Sequence, residues 1–514
     1  MFPIDFLRHA AVAAPSRTAV LDGGRACSYA ELLQRADALA AGLQALAGEA
    51  RPTVAILGPN SMEMLVALMA IHAGGSILVP LNGRNAKAEL DAQIRRARPD
   101  VLIVHKHYVD KFSAVDVPTV IADADAGDRR SMAVLEQSHR GRRAEWTAAL
   151  SDVNAIKFTG GSSGIPKGVM QSFRSLNTLI ASVMIIFRFE ADERYLCVAP
   201  MTHAAGAFIL PVLAAGGCVV CSADPKPAPV LDLMAGAGVT AVWMPPTMMY
   251  TLIDEQRAQP RALPALRHLI WGGAPAALAR LREARQAFGP VVETIFGQTE
   301  APLMLAAARA EDVADEKRLA SVGRVGPLAD VGIFSDEGRR LGPNELGEVR
   351  ARGDLLMNAY LDMPEETAKT LVDGWLHTGD VGYIDEDGYL YLKDRIRDVI
   401  ISGGFNVYPS DVEAAIAEHP AVSEVVVFGV PDDHWGERVE AAMELRPGCS
   451  ATPEDLIGYC KERVGSVKAP KRIHVVEALP RSPVGKVLRR EARGMAMGLP
   501  DPAARQEHLQ GKAR

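Results

Sequence analysis

At 514 residues the chain is too long for one ordinary hydrophobic core, so at least two domains are expected. A hydrophobic share of 48% and a charged share of 23% are those of a soluble enzyme that buries enough surface to need no disulfide or metal staple. The net charge of −7 offers no polycation to a phosphate backbone, which excludes nucleic-acid binding from the expected roles.

The opening residues, MFPIDFLRHAAVAAPSR, lack a basic start followed by a continuous apolar run, so no secretory signal is expected. Val54–Gly58 reads as a strand, with Asn60 as N-cap of a helix over Met62–Ala73. Gly74-Gly75 ends that helix and Ser76–Pro80 is the next strand. The same unit recurs around Val101–Val104, Ala155–Thr159, Val239–Met244 and Leu269–Trp271, which predicts α/β layers with largely parallel sheets. Tyr195–Ala223 carries no Asp, Glu, Lys or Arg, but Pro200, His203, Pro211 and Gly216-Gly217 interrupt it as they would a buried strand–loop–helix passage, not a membrane span. Cys218 and Cys221 lie in its apolar run with no second CxxC; they read as buried small hydrophobes, with a redox or zinc pair as the alternative.

Beyond about Gly347 the texture changes to short strands at Glu348–Ala351, Val381–Ile384 and Tyr389–Leu392, joined by acidic-glycine turns. A small α+β unit follows, with a strand at Val425–Val430 and helices at Pro409–Glu418 and Pro453–Val464. The expected architecture is therefore a large α/β N-terminal domain of packed subdomains over residues 1–396 and a small α+β C-terminal domain over 397–514. A cytoplasmic enzyme without membrane spans, monomer or homodimer, is the expectation; the terminal GKAR is no peroxisomal address.

Four segments carry chemistry. Thr159 to Gly168 (TGGSSGIPKG) follows a strand with three hydroxyls, four glycines and one lysine, a composition that wraps a polyphosphate in N–H and O–H donors. The GxxxxGK[ST] order of a Walker loop is absent, and a plain surface loop is the bland alternative. Ile295–Glu300 (IFGQTE) places an aromatic face for a purine at Phe296 and a carboxylate suited to Mg²⁺ at Glu300; a mere helix start is the alternative. Gly374–Asp380 (GWLHTGD), then Lys393-Asp394-Arg395, offers an aspartate for two ribose hydroxyls and a neighbouring arginine. Pro480–Lys486 (PRSPVGK) ends in a lysine that alone would read as a solvated surface charge.

In this order, and with Gly272-Gly273-Ala274-Pro275, these segments resemble the adenylate-forming superfamily of acyl-CoA synthetases, peptide-synthetase adenylation domains and firefly luciferase, over roughly Phe6 to Arg490. The resemblance implies a large domain that binds ATP and a small-molecule carboxylic acid, with a small domain swinging over it. Thr159, Ser162, Ser163, Gly164 and Lys167 would contact the pyrophosphate part of ATP, and Gly273, Ala274 and Pro275 would line adenine with Phe296 and Gly297. Thr299 would touch the α-phosphate, Glu300 would hold Mg²⁺, and Asp380 and Arg395 would bind ribose. Lys486 would act in adenylation, Arg397 would be the hinge, and Gly403 and Gly404 would admit the pantetheine arm of coenzyme A. Gly160 stands where the family usually has serine, Phe296 where tyrosine is common, and Arg397 where aspartate or lysine is usual.

Pro200–Gly206 (PMTHAAG) resembles the family's acyl-pocket gate, with His203 as lid; a hydrogen-bonded core histidine is the alternative. Ala205 and Ala207 leave that wall roomy, Ala301 extends the apolar lining, Trp271 reads as an aromatic pocket surface with a plain core tryptophan as the alternative, and no Asp, Lys or Arg lies in these stretches. The implied reaction is acyl-CoA ligation of an apolar acid, medium-chain fatty or aromatic, through acyl-AMP. A carrier-protein-loading adenylation enzyme and a nucleotide-binding regulator that has lost catalysis are the alternatives.

Overall fold

The computed structural model describes residues 1–112, 115–125, 127–159, 166–482 and 487–498. It has the expected α/β class, with a large N-terminal domain and a small α+β C-terminal one. By compactness, one unit comprises Met1–Gly273, Ala284–Val331 and Arg350–Thr378; the other takes in Ala274–Glu283, Gly332–Val349 and the chain from Gly379 onward.

The larger unit contains a seven-stranded sheet in the order Ala359–Tyr360, Lys167–Ser172, Val153–Thr159, Ile77–Pro80, Thr53–Leu57, Val101–Val104 and Thr119–Ile121. Strand Val153–Thr159 pairs parallel with Ile77–Pro80 and antiparallel with Lys167–Ser172. Side chains on successive residues of a strand face opposite ways. Ile156 and Phe158 accordingly enter an apolar cluster with Leu57, Val79 and Val104, while Ala155, Lys157 and Thr159 share the other face. A second run of parallel strands, Val292–Phe296, His268–Gly272, Ala241–Met244, Arg194–Cys197 and Cys218–Cys221, is buried almost throughout, which is why each reads as a continuous apolar stretch.

Helix Met62–Ala73 is apolar all round and every residue but Glu63 is buried. Its N-cap is Ser61, whose hydroxyl accepts from the Met64 N–H at 3.2 Å, and not Asn60 as the sequence suggests. Asn60 instead turns into the interior. Cys218 and Cys221 are buried within one strand, so the small-hydrophobe reading holds.

In the smaller unit, Val422–Asp432 and Gly436–Leu445 form a long antiparallel pair, extended on one side by Ile400–Ser402 and Phe405–Val407 and joined by a parallel Arg472–Val475. Helices Pro409–Ala417 and Pro453–Lys468 bury Val412, Ile416, Leu456 and Cys460 against Val427, Val439 and Ile473. Pro409 and Pro453 start their helices, where a missing N–H loses no bond. The strand expected at Val381–Ile384 begins at Trp375, because Leu376, Thr378 and Asp380 alternate inward.

Candidate active site

Strand Val292–Phe296 ends in a tight turn that carries the carboxylate. A Cβ on Gly297 would lie 2.4 Å from the Leu303 nitrogen, so only glycine lets the chain double back there, and Leu303 itself adopts φ +59°. The turn is pinned at three points: Gln171 Nε2 donates to the Thr299 carbonyl at 2.7 Å, Gln298 Nε2 to the Thr378 carbonyl at 2.9 Å, and the Met357 N–H to the Glu300 carbonyl at 2.8 Å. Glu300 is half-buried, and its Oε1 accepts from the Tyr360 hydroxyl at 2.8 Å. Burial, reinforced by the Glu300 charge, raises the tyrosine's pKa, so it stays a donor. Phe296 is buried at the strand end, and Ala301 is fully buried.

Thr159 and Lys167 are register partners across the antiparallel pair, so the two ends of the glycine- and hydroxyl-rich segment meet. Ser162, Ser163 and Gly164 lie outside the described residues. The Lys167 ammonium pairs with Glu366 Oε2 at 2.8 Å and stands 4.9 Å from the centre of the Tyr360 ring. Lys167, with Lys369, lowers the Glu366 pKa to about 2. Glu366, Lys167, Tyr360 and Glu300 thus form one chain of alternating charge and aromatic contact.

The loop before the Ala204–Phe208 turn is held by Asn60. Its amide donates to the carbonyls of Cys197 and Ala199, both at 2.9 Å, and of Ser222 at 3.2 Å, and its carbonyl accepts from the Met201 N–H at 2.8 Å. A Cβ on Gly206 would sit 1.8 Å from the Met201 carbonyl oxygen, so the loop closes onto that glycine. His203 meets the Thr202 hydroxyl at 2.9 Å through Nδ1. Burial, assisted by the Lys157 charge, lowers its pKa to about 4, so its ring is neutral near pH 7. Ala205 is fully buried, Ala207 is half-buried, and Trp271 is buried in its strand. Gly273, just beyond, has φ +83°.

In the smaller unit, Asp380 and Arg395 are register partners of neighbouring strands, and Arg395 Nε lies 2.6 Å from Asp380 Oδ1. The two ribose candidates are therefore adjacent. Arg397 is exposed in the short turn Ile396–Asp398. Gly403 and Gly404 form the tip of a hairpin at φ +58° and +81°. Ala274 is half-buried and Pro275 exposed. Lys486 lies outside the described residues.

A model of the AMP-binding enzyme matches residues 7–361, and a model of the AMP-binding enzyme C-terminal domain matches 411–486. The chain belongs to the AMP-binding enzyme family. It is 34% identical to a feruloyl-CoA synthase of Amycolatopsis sp over 93% of this chain and 96% of that one. It is 39% identical to the medium/long-chain-fatty-acid–CoA ligase FadD8 of Mycobacterium tuberculosis, over 65% of this chain and 60% of that protein. Among solved structures, the o-succinylbenzoate CoA synthetase MenE of Bacillus subtilis, in complex with its acyl-adenylate, superposes with a TM-score of 0.84 at 28% identity, covering 95% of this chain and 97% of that one. This AMP-binding enzyme is an AMP-forming ligase of the acyl-CoA synthetase type.

Its Glu300 fits a magnesium ion of the kind that takes one protein carboxylate and fills its shell with phosphate oxygens and water. Tyr360 occupies only Oε1, and the turn fixes the carboxylate's direction. No helix among the described residues is long and apolar enough to cross a membrane. The residues that sequence reasoning passes over are Asn60, Lys157, Gln171, Tyr360 and Glu366. The one local signal among them is Lys157, a lysine between apolar Ile156 and Phe158 in the strand that runs into the phosphate-loop motif.

Proposed function

We propose that this enzyme joins an apolar carboxylic acid, medium-chain fatty or aromatic, to ATP as acyl-AMP with release of pyrophosphate, then passes the acyl group to coenzyme A with release of AMP. The observation that carries the reading is the chain Glu366–Lys167–Tyr360–Glu300, which brings a phosphate-neutralising lysine and a magnesium-suited carboxylate onto one tyrosine beside Thr159.

Each residue has a task in that chemistry. A carboxylate is a poor nucleophile and must approach a polyanion, so positive charge has to be fixed around the phosphates beforehand. Lys167 supplies part of it, with Thr159, Ser162, Ser163 and Gly164 donating hydrogen bonds. Glu366 holds the lysine ready and yields it when a more highly charged phosphate arrives. Thr299 meets the α-phosphate, and Phe296, Gly297, Gly273, Ala274 and Pro275 line the adenine. Asp380, oriented by Arg395, accepts the ribose hydroxyls. Magnesium bound at Glu300 would neutralise phosphate charge and polarise the α-phosphorus. Neutral His203 lines the acid's path without repelling a cation or attracting a second anion, and Ala205, Ala207, Trp271 and Ala301 shape the apolar part of the site.

Lys486 brings a flexible positive charge to the carboxylate and α-phosphate during adenylation. Arg397 is the hinge about which residues 397–514 turn, and Gly403 and Gly404 then let the pantetheine arm pass close to backbone. The Bacillus subtilis MenE, which the chain resembles, has also been solved with ATP and a magnesium ion.

The test is pyrophosphate release across a panel of fatty and aromatic acids, with and without coenzyme A. Acid-dependent pyrophosphate and coenzyme-A-dependent AMP are expected. A purified protein that makes neither from any acid on the panel ends the reading.

A further inference from the structure

Helix Lys87–Ala97 docks through Leu90 and Ile94 on the apolar cluster that also takes Ile156, Phe158 and Leu361. Its last turn carries two arginines. Arg95 is exposed, where a positive charge suits a helix C-terminus and needs no further partner. Arg96 is half-buried and turns its guanidinium onto two carbonyls distant in the chain. Its Nη1 donates to the Pro166 carbonyl at 2.6 Å and its Nη2 to the Leu361 carbonyl at 2.9 Å.

Both acceptors adjoin residues of the site: Pro166 precedes Lys167, and Leu361 follows Tyr360. The strand starts at Lys167, and Pro166 has no N–H with which to extend its ladder. What can be held there is the Pro166 carbonyl, and Arg96 holds it. Leu361 also donates its N–H to the Gly168 carbonyl at 2.7 Å. The carbonyls on either side of Lys167 are thus both tied to Leu361, that of Gly168 directly and that of Pro166 through the Arg96 fork. Tyr360, in register with Val169, meets the Lys167 ammonium with its ring and Glu300 with its hydroxyl.

We propose that Arg96 is a positioning residue for the triphosphate: its bonds to Pro166 and Leu361 fix where Lys167 stands and keep it in register with Tyr360 and Glu300. This rests on the reading of Lys167 as a contact of the pyrophosphate part of ATP. A planar guanidinium locks two acceptors at a set separation, which the point charge of a lysine does not. A phosphate-binding lysine displaced by about 1 Å loses much of its hold on the β- and γ-phosphates. It has no such hold to lose on AMP.

The test is calorimetry on the full chain with two ligands, ATP with magnesium and AMP, which has no β- or γ-phosphate. Arg96→Met keeps the stem and removes the fork; it should weaken ATP by about tenfold or more and leave AMP within about twofold. Lys167→Met should do the same. The double variant should bind ATP no more than about twofold more weakly than Lys167→Met alone, because Arg96 acts through the lysine. Arg96→Lys keeps the charge without the fork, and should recover stability to urea but only part of the ATP affinity.

Equal weakening of ATP and AMP in Arg96→Met would make the arginine a general support of the fold and overturn the inference. So would unchanged ATP affinity, losses that add in the double variant, or full affinity in Arg96→Lys. Should Arg96→Met fail to fold, Arg96→Lys decides by the same comparison of ATP with AMP. If Lys167→Met binds ATP as the unaltered chain does, the reading of that lysine falls and the inference with it. If Lys167→Met loses ATP and Arg96→Met does not, only the inference falls. Neither measurement needs turnover, so a protein inactive with every acid would remove the acid-activating reading and leave this one standing.

Discussion

Two side chains decide more at this site than their positions in the sequence suggest. Among the described residues, Tyr360 is the one side chain that hydrogen-bonds the Glu300 carboxylate, and it also lies beside Lys167. Tyr360→Phe keeps the ring and removes only the donor. The carboxylate then loses its fixed direction, and pyrophosphate formation is expected to fall by about tenfold, with stability changed by about 1 kcal/mol or less. Urea denaturation alongside kcat/KM separates the two effects, and a stability loss that accounts for the fall would refute the positioning role. Asn60 acts on the other wall. Asn60→Ala removes this partner from the carbonyls of Cys197, Ala199 and Ser222 and from the Met201 N–H. A destabilisation of about 3 kcal/mol is expected, with a rise in KM for the acid that exceeds any rise in KM for ATP. Asn60→Asp should be no better, since a carboxylate cannot donate to those carbonyls. Lys486→Ala should lower adenylation by about a hundredfold while thioester formation from supplied acyl-AMP persists. Equal loss in both half-reactions would refute its assignment to the first.

At the scale of elements, what was legible in the sequence is what local physics controls. The helix Met62–Ala73 and the strand Val101–Val104 stand where periodicity and glycine–proline punctuation put them, because a twelve-residue segment apolar but for Glu63 and His72 and a short, largely β-branched apolar run leave few choices. The cap of that helix was misread since Ser and Asn both cap well, and only the fold shows that Asn60 has carbonyls from two other strand ends to satisfy. Lys167 and Glu366 are 199 residues apart, and Gln171 reaches Thr299 across 128. Such partners have no local pattern, so a motif can name the lysine and not the glutamate that holds it. Gly206 is an intermediate case: its place in PMTHAAG was visible, its reason was not. Gly206→Ala puts a methyl carbon on the Met201 carbonyl oxygen, which neither backbone can avoid without opening the loop. We expect about 1–3 kcal/mol of destabilisation and a fall in kcat/KM for the acid, with nucleotide binding by calorimetry unchanged. Weakened ATP binding of the same size would place the loop elsewhere in the mechanism.

At the scale of the whole molecule, a chain of two compact units need not unfold in one step, and a substitution can be assigned to the unit it damages. Arg489 is the test case within the smaller unit. Its Nη1 reaches Asp394 at 3.0 Å and Asp398 at 2.9 Å, and its Nη2 reaches Glu413 at 2.8 Å, so it ties the last described helix to the segment around Arg397 and to helix Pro409–Ala417. Burial raises the pKa of Glu413, and the Arg489 charge is the largest influence that holds it down. Arg489→Met therefore leaves an acid with no compensating cation, and a destabilisation of about 3–5 kcal/mol is expected near neutral pH. A carboxyl whose folded pKa lies above its unfolded value contributes stability below the unfolded pKa and loses it as pH rises through the folded one. Without the guanidinium the folded pKa moves further up, so the deficit of the variant should be largest at neutral pH and should shrink as pH falls towards the ordinary carboxylate range. Urea denaturation followed at several pH values measures this directly. A deficit independent of pH would mean that packing and not charge ties this helix down, and a deficit shared equally by both unfolding transitions would mean that the two units do not unfold independently.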